Sequence, residues 1–359
     1  MYKVTLRPAW DVQTAQGRSL PPRLVELLVA VHGNASLAAA CRQVGLSYRY
    51  AWGLLQQGEA MFGVPLVRAA RGRGAALSPL GERLVWADRR IAARLSPTLD
   101  SLAAELESEL ERSLSLHAAP VRLQASHGFG VEALRRAMAA SDRPLDLKYR
   151  SPDEALTALR AGACELGGLH LPIGELQAPV LAHYRDRLRP RTDRVVHLAM
   201  RRQGLVVAPG NPRGIHGVTD LVRGDVRFIH RQPGSGTRLL LECLLQREGL
   251  SSADVAGVGM EELTHAAVAA NVASGLADVG LALEPPARRY GLDFIPLATE
   301  QYFFLCDGAG LDGGRIDSVL EILRDPAFRR ELALIPGYDP SFCGVVQSLE
   351  EAFPTMRDG

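Results

Sequence analysis

Apolar positions recur at helical intervals through the first quarter of the chain. Leu24, Leu27, Leu28 and Val31 fall on one face of a helix over residues 22–31, which stops at Gly33-Asn34. Ser36 is placed to cap a second short helix whose inner face holds Leu37, Ala40, Cys41 and Val44. Gly45 then makes a tight turn, and Ser47 caps a third helix to about residue 61, with Trp52, Leu55 and Met61 expected to pack inward. Residues 65–67 and the stretch up to Leu77 predict two short strands around an arginine- and glycine-rich tip carrying Arg71 and Arg73. Val4, Thr5 and Leu6 predict a small strand ahead of all these elements.

Beyond Gly81 no glycine occurs before residue 114, and Leu84, Ile91, Leu95, Leu99, Leu102, Leu106 and Leu110 recur mostly three or four apart. This is one long amphipathic helix over residues 80–114, with Pro97 inside it and an acidic outer side at Glu105, Glu107, Glu109 and Glu111. The stripe needs a partner, either the body of its own chain or the same helix of a second copy. From Pro120 the texture changes. Strands over residues 121–125, 145–149 and 166–170 alternate with helices over residues 129–138 and 152–161, which is βαβαβ and hence a parallel sheet. Apolar runs at 205–208, 227–230, 278–283 and 293–296 predict a second lobe, and residues 302–306 carry the chain back to the first.

The sequence thus predicts an α/β multidomain chain: a winged helix-turn-helix over residues 1–79, a linker helix over 80–118 and a bilobed domain over 119–359. Lobe I takes residues 119–200 and 303–359, and lobe II takes 201–302. A hydrophobic share of 47% against 23% charged residues is that of a packed globular chain and excludes wholesale disorder. No apolar run is long enough to span a bilayer, and five scattered cysteines without C-x-x-C spacing read as reduced thiols, so a cytoplasmic setting is expected.

Charge changes the picture further. Residues 1–95 hold thirteen basic and five acidic side chains, so this stretch carries +8 and the remainder −7 of the chain's net +1. A basic head on an acidic body suits a polyanion, of which double-stranded DNA is the obvious one. Ser47, Tyr48, Arg49 and Tyr50 open the third helix, where phosphates and base edges are met, and Arg71 and Arg73 at the wing tip suit phosphates or a minor groove. The run Gly45-Leu-Ser-Tyr-Arg-Tyr-Ala-Trp52, with Phe62-Gly-Val-Pro-Leu-Val67 and Leu77-Ser-Pro-Leu-Gly-Glu82, resembles the head of LysR-type regulators, closest to the molybdate-responsive, ModE-like branch. The resemblance spans about residues 20–115. It implies DNA binding at a palindromic operator and pairing through the long helix, as a homodimer or a dimer of dimers.

In the body, Arg231-Gln-Pro-Gly-Ser-Gly-Thr-Arg238 follows a strand and opens a helix. Gly234 and Gly236 let backbone amides approach a ligand, Ser235 and Thr237 offer hydroxyls, and the helix start adds partial positive charge: an oxyanion site. Ser126, His127 and Ser151 sit at helix starts of the facing lobe, Thr264 and His265 at a further one, and Tyr302 lies near the crossover between lobes. Each serine is equally an ordinary helix cap, Arg231 and Arg238 can instead serve their own lobe, and His170 is equally a core histidine. The body resembles type 2 periplasmic binding proteins over about residues 120–350, and its R-Q-x-G-S-G-T-R loop resembles the sensor domain of molybdate-binding regulators. The resemblance implies molybdate or tungstate as effector, with no cofactor and no metal cation. Chemistry alone leaves sulfate, formate and other small anions open, and also a cytoplasmic oxyanion-storage protein.

Enzyme motifs are missing. Residues 232–236 do not match G-x-S-x-G, the loop lacks the G-K-[ST] ending of a P-loop, and no H-E-x-x-H occurs, so no catalytic residue is assigned.

Overall fold

The computed structural model describes residues 3–34, 36–70, 74–114 and 120–354. Packing divides these into two units: residues 7–93, and residues 94–354 together with residues 3–6.

In the first unit, α1 (Leu24–His32), α2 (Leu37–Val44) and α3 (Tyr48–Phe62) are followed by β1 (Val67–Ala70) and β2 (Gly74–Leu77). Local chemistry fixes the boundaries. Ser36 Oγ accepts from Ala39 N–H and Ser47 Oγ from Tyr50 N–H, and between them Gly45 takes a left-handed φ of 65° that ends α2. Leu24, Leu27, Leu28, Leu54, Leu55 and Leu66 pack into one core. Gly58 lies against it, where a Cβ would stand 2.5 Å from Leu24 and 2.7 Å from Leu66. Strands β1 and β2 pair antiparallel from Val67↔Leu77 to Ala70↔Gly74. Trp52 does not pack inward: α3 buries Ala51, Leu54, Leu55 and Gly58, which leaves Trp52 on the opposite face, 50% exposed.

Helix α4 (Pro79–Leu114) runs through Pro97 without a break. The division between units falls inside it, between Ala93 and Arg94, so the linker helix is no separate body. The strand expected at Val4–Leu6 does not form. Its backbone finds a side chain instead of a partner strand, Val4 N–H donating to Glu107 Oε1 at 2.7 Å.

The second unit continues with β3 (Val121–Ala125), α5 (Phe129–Ala140), β4 (Leu145–Tyr149), α6 (Pro152–Arg160), β5 (Leu166–Pro172), α7 (Gln177–Tyr184) and β6 (Asp193–Val207). After these come β7 (Phe228–Arg231), α8 (Gly236–Arg247), β8 (Gly257–Glu262), α9 (His265–Ala273), β9 (Val279–Leu283), α10 (Glu284–Arg289) and β10 (Asp293–Asp307). The chain closes with α11 (Gly308–Asp312), α12 (Asp317–Arg324), α13 (Pro326–Ala333), β11 (Tyr338–Asp339), β12 (Val346–Ser348) and α14 (Leu349–Ala352).

One sheet in the order β4-β3-β5-β10-β6-β9-β7-β8 joins both lobes, with β11 and β12 also on β6. A parallel trio stands at each end, and the antiparallel pair β6–β10 crosses the middle. The sequence placed only fragments of these two strands. Each is 15 residues long, and their register shifts at Pro296/Ala298 and Tyr302/Phe303. Arg201, Gln203 and Glu300 interrupt the apolar runs midway, yet all three are buried. Separate apolar cores fill lobe I, around Leu123, Leu134 and Phe304, and lobe II, around Leu205, Phe228 and Leu240.

Candidate functional site: a cationic cleft and an exposed helix

A cavity of about 390 Å³ opens between the lobes. Lobe I contributes Ser126 and His127 from the β3–α5 turn, Tyr149 from the end of β4, Ser151 from the β4–α6 turn, and His170 from β5. From lobe II come Arg231, Ser235, Gly236 and Thr237 at the β7–α8 turn and His265 at the start of α9. Gly234, Thr264 and Tyr302 do not line it. Gly234 takes a left-handed φ of 75° in the turn, and Thr264 Oγ1 caps α9 by accepting from Ala267 N–H at 2.9 Å. Tyr302 lies behind the wall, buried, stacked on His170 and covered by the Arg201 guanidinium 4.7 Å from its ring centre.

The hydroxyls differ in what they have left to give. Ser126 Oγ is buried with no hydrogen-bond partner. Ser235 Oγ accepts from Arg238 N–H at 3.1 Å as the cap of α8, which leaves its own hydrogen free. Thr237 Oγ1 accepts from Gln203 Nε2 at 3.1 Å. Ser151 is saturated: its Oγ accepts from Glu154 N–H and donates to Glu154 Oε2 at 2.8 Å, a closed capping box. Gly236 is required for another reason than ligand approach, because a Cβ there would collide with the His170 ring across the cleft.

Three buried charges set the potential. Arg231 is 8% exposed; it donates to Glu262 O at 3.0 Å and Leu263 O at 2.9 Å and lies 3.2 Å from His265 Nδ1. Burial, reinforced by Arg201, lowers its pKa to about 10, so it stays charged at neutral pH. Behind it, Glu300 contacts His170 Nδ1 at 3.0 Å and accepts from Arg201 Nε at 3.1 Å and Gln203 Nε2 at 2.9 Å. Burial alone would raise the Glu300 pKa; His170 and Arg201 override it and hold it at about 2.

Burial works against charge on the histidines of the cavity. Burial takes His127 down to about 4 against a pull from Glu132, and it lowers His170 and His265 as well. Leu283 N–H donates to His265 Nδ1 at 3.3 Å, which leaves the ring proton on Nε2. Glu262 is matched by Arg94 at 3.0 Å. Within the buried wall Arg201 and Arg231 therefore stand against Glu300, an excess of one positive charge, while among the other lining residues Lys148 and Arg150 stand against Glu105 and Glu154. Among the described residues no group of three metal-ligating side chains occurs. The sequence reading missed Arg201, Gln203 and Glu300; the only signal was polar residues interrupting apolar runs.

On the first unit, Ser47 Oγ caps α3 and keeps its own hydrogen, and Ser47, Tyr48, Arg49 and Tyr50 are all exposed at the start of that helix. Trp52 is exposed as well, so the start of α3 presents three aromatic side chains and one arginine to solvent. Arg71 and Arg73 lie outside the described residues; the strands that flank them are paired. Among the described residues no helix is long and apolar enough to cross a membrane.

Comparison with known proteins bears on the second unit first. Residues 131–324, just over half of the chain, match the model of the PBP superfamily domain. The uncharacterized protein YvgK of Bacillus subtilis (strain 168) is 34% identical over 202 residues, 55% of this chain and 64% of that protein. The molybdenum-pterin-binding protein MopB of Rhodobacter capsulatus is 29% identical over 182 residues, covering 44% and 66%. The chain thus spans slightly under two thirds of the length of these curated relatives. Solved structures that match include an OxyR C206 mutant of Corynebacterium glutamicum, at TM-score 0.45 and 16% identity over 90% of this chain and 96% of that one. Another is CbnR, a LysR family transcriptional regulator, at TM-score 0.39 and 16% identity over 84% and 99%.

Proposed function

The chain belongs to the PBP superfamily, and we propose that its cleft binds a small oxyanion, molybdate or tungstate foremost, to control transcription through a DNA-binding head. The observation that carries this reading is the unbalanced positive charge of Arg201 and Arg231 beside the free hydroxyls of Ser126 and Ser235. A dianion gains from the charge and from neutral donors held rigidly on helix starts. The molybdenum named in a relative's description favours a metal oxyanion over sulfate. A cavity of about 390 Å³ exceeds what a bare oxyanion fills, so the lobes close on it, or a larger organic anion takes its place. Pairing of two chains is supported by the exposed Leu95, Leu102, Leu106 and Leu110 on one stripe of α4.

Calorimetric titration of the full chain with molybdate, tungstate, sulfate, phosphate and formate tests the effector. Saturable heat from the first two alone is expected, and binding of none of the five ends the oxyanion reading. The head is tested on duplexes selected from a random pool. Arg49→Ala should weaken specific binding by about tenfold and flatten its salt dependence, with calorimetric anion affinity unchanged. An unaltered salt slope would remove Arg49 from the interface.

A further inference from the structure

The cavity has a wall that neither lobe supplies. Pro97, Thr98, Ser101, Leu102 and Glu105 of α4 line it together with the loops described above. Two contacts tie this stretch down, one on each lobe. On lobe I, Tyr149 N–H donates to Ser101 Oγ at 3.0 Å. On lobe II, Arg94 donates to Glu262 Oε2 at 3.0 Å and to Glu261 O at 3.1 Å. Pro97 sits between the two ties, where its ring removes a backbone N–H and makes α4 easier to bend.

Hydroxyl accounting singles out one of these residues. Ser151, assigned from sequence to the ligand, has both roles of its hydroxyl taken by Glu154. Ser101 is the reverse case: its oxygen accepts from Tyr149, and its own hydrogen has no acceptor among the described residues. A hydroxyl whose oxygen is anchored by a backbone N–H, and whose hydrogen is unspent, is an oriented donor at the edge of a cationic cavity.

We propose that Ser101 binds the anion directly, in the role that Ser151 cannot fill, so that the helix leading to the head is itself part of the effector site. This rests on the oxyanion reading above. Occupancy then acts on α4 without an intermediary element. The anion bonds to the helix on the Ser101 side of Pro97, while Arg94 holds the other side to lobe II.

The test uses the full chain and molybdate. Ser101→Ala should weaken calorimetric affinity by about tenfold, the loss of one hydrogen bond to a charged group. Ser101→Thr, which keeps the hydroxyl, should restore most of it, and Ser151→Ala should stay within about twofold of the parent because its hydroxyl was never available. Hydrogen exchange on the unaltered chain gives a readout independent of any substitution: molybdate should slow exchange at residues 98–105 as well as at residues 235–239. Parent-like affinity in Ser101→Ala, or slowing confined to residues 235–239, would overturn the proposal and leave the oxyanion site standing. No heat and no slowing anywhere with molybdate would remove both.

Discussion

Replacing Arg231 by methionine should lower the affinity for molybdate by about a hundredfold, roughly 3 kcal/mol. Methionine keeps much of the apolar stem but takes away the charge, and the buried wall of the cavity falls from an excess of one positive charge to none. The same change leaves Glu262 O and Leu263 O without the donor they now share. A drop in stability on the order of 1–3 kcal/mol should accompany the lost affinity. Calorimetry and thermal melting separate the two effects. If melting moves and affinity does not, Arg231 serves only the turn between β8 and α9, the structural role its sequence left open.

Glu300 carries the second large effect, on stability. Glu300→Ala should destabilise the chain by about 3–5 kcal/mol, because Arg201 would be left as a buried cation without its counter-charge. Acid should act in the same direction. The unfolded carboxyl takes up its proton near pH 4.5, whereas the folded one holds out to about 2. Across that interval the unfolded state binds more protons, so the contribution of Glu300 is complete above pH 4.5 and disappears as pH falls towards 2. Its size is on the order of 3 kcal/mol. Glu300→Gln, nearly isosteric, should flatten this part of the stability–pH curve in denaturant titrations followed by circular dichroism. A curve as steep as the parent's over that interval would assign the acid sensitivity to other carboxylates, of which Asp278, held at about 2 by Arg227, is the first; His127, with its pKa of about 4, costs stability only in the interval above, as pH falls from 6.5 to 4.

Elements with local causes were legible in the sequence. Ser36, Gly45 and Ser47 mark their helix boundaries by chemistry that reaches three residues at most, and the structure uses all three. The fragments of β6 and β10 were not assembled because the evidence for them is long-range. Glu300 is made acceptable in the interior by partners 97, 99 and 130 residues away, Gln203, Arg201 and His170. Nothing in a window of sequence distinguishes such a residue from one in an exposed loop. Trp52 was misplaced for a related reason: size and apolarity favour burial, but the face of α3 that holds Ala51, Leu54 and Leu55 decides the matter, and Trp52 is not on it. Ser151 is different, since its capping box was spelled out in Ser151-Pro-Asp-Glu154, whereas the donation of its hydroxyl to Glu154 Oε2 is seen only in the structure.

The two crossing strands also dictate when the second unit is able to exist. β6 waits for β10 before its ladder of pairs from Asp193↔Asp307 to Val207↔Asp293 closes, and lobe I takes β11 and β12 from later still. Residues 7–93, by contrast, form their core from contacts close in sequence. During synthesis the first unit is therefore complete early, while the second remains an unfinished sheet until β10 to β12 have emerged. A ribosome that stops between β9 and β10 releases a chain whose long β6 edge is bare, the kind of edge that pairs with another copy.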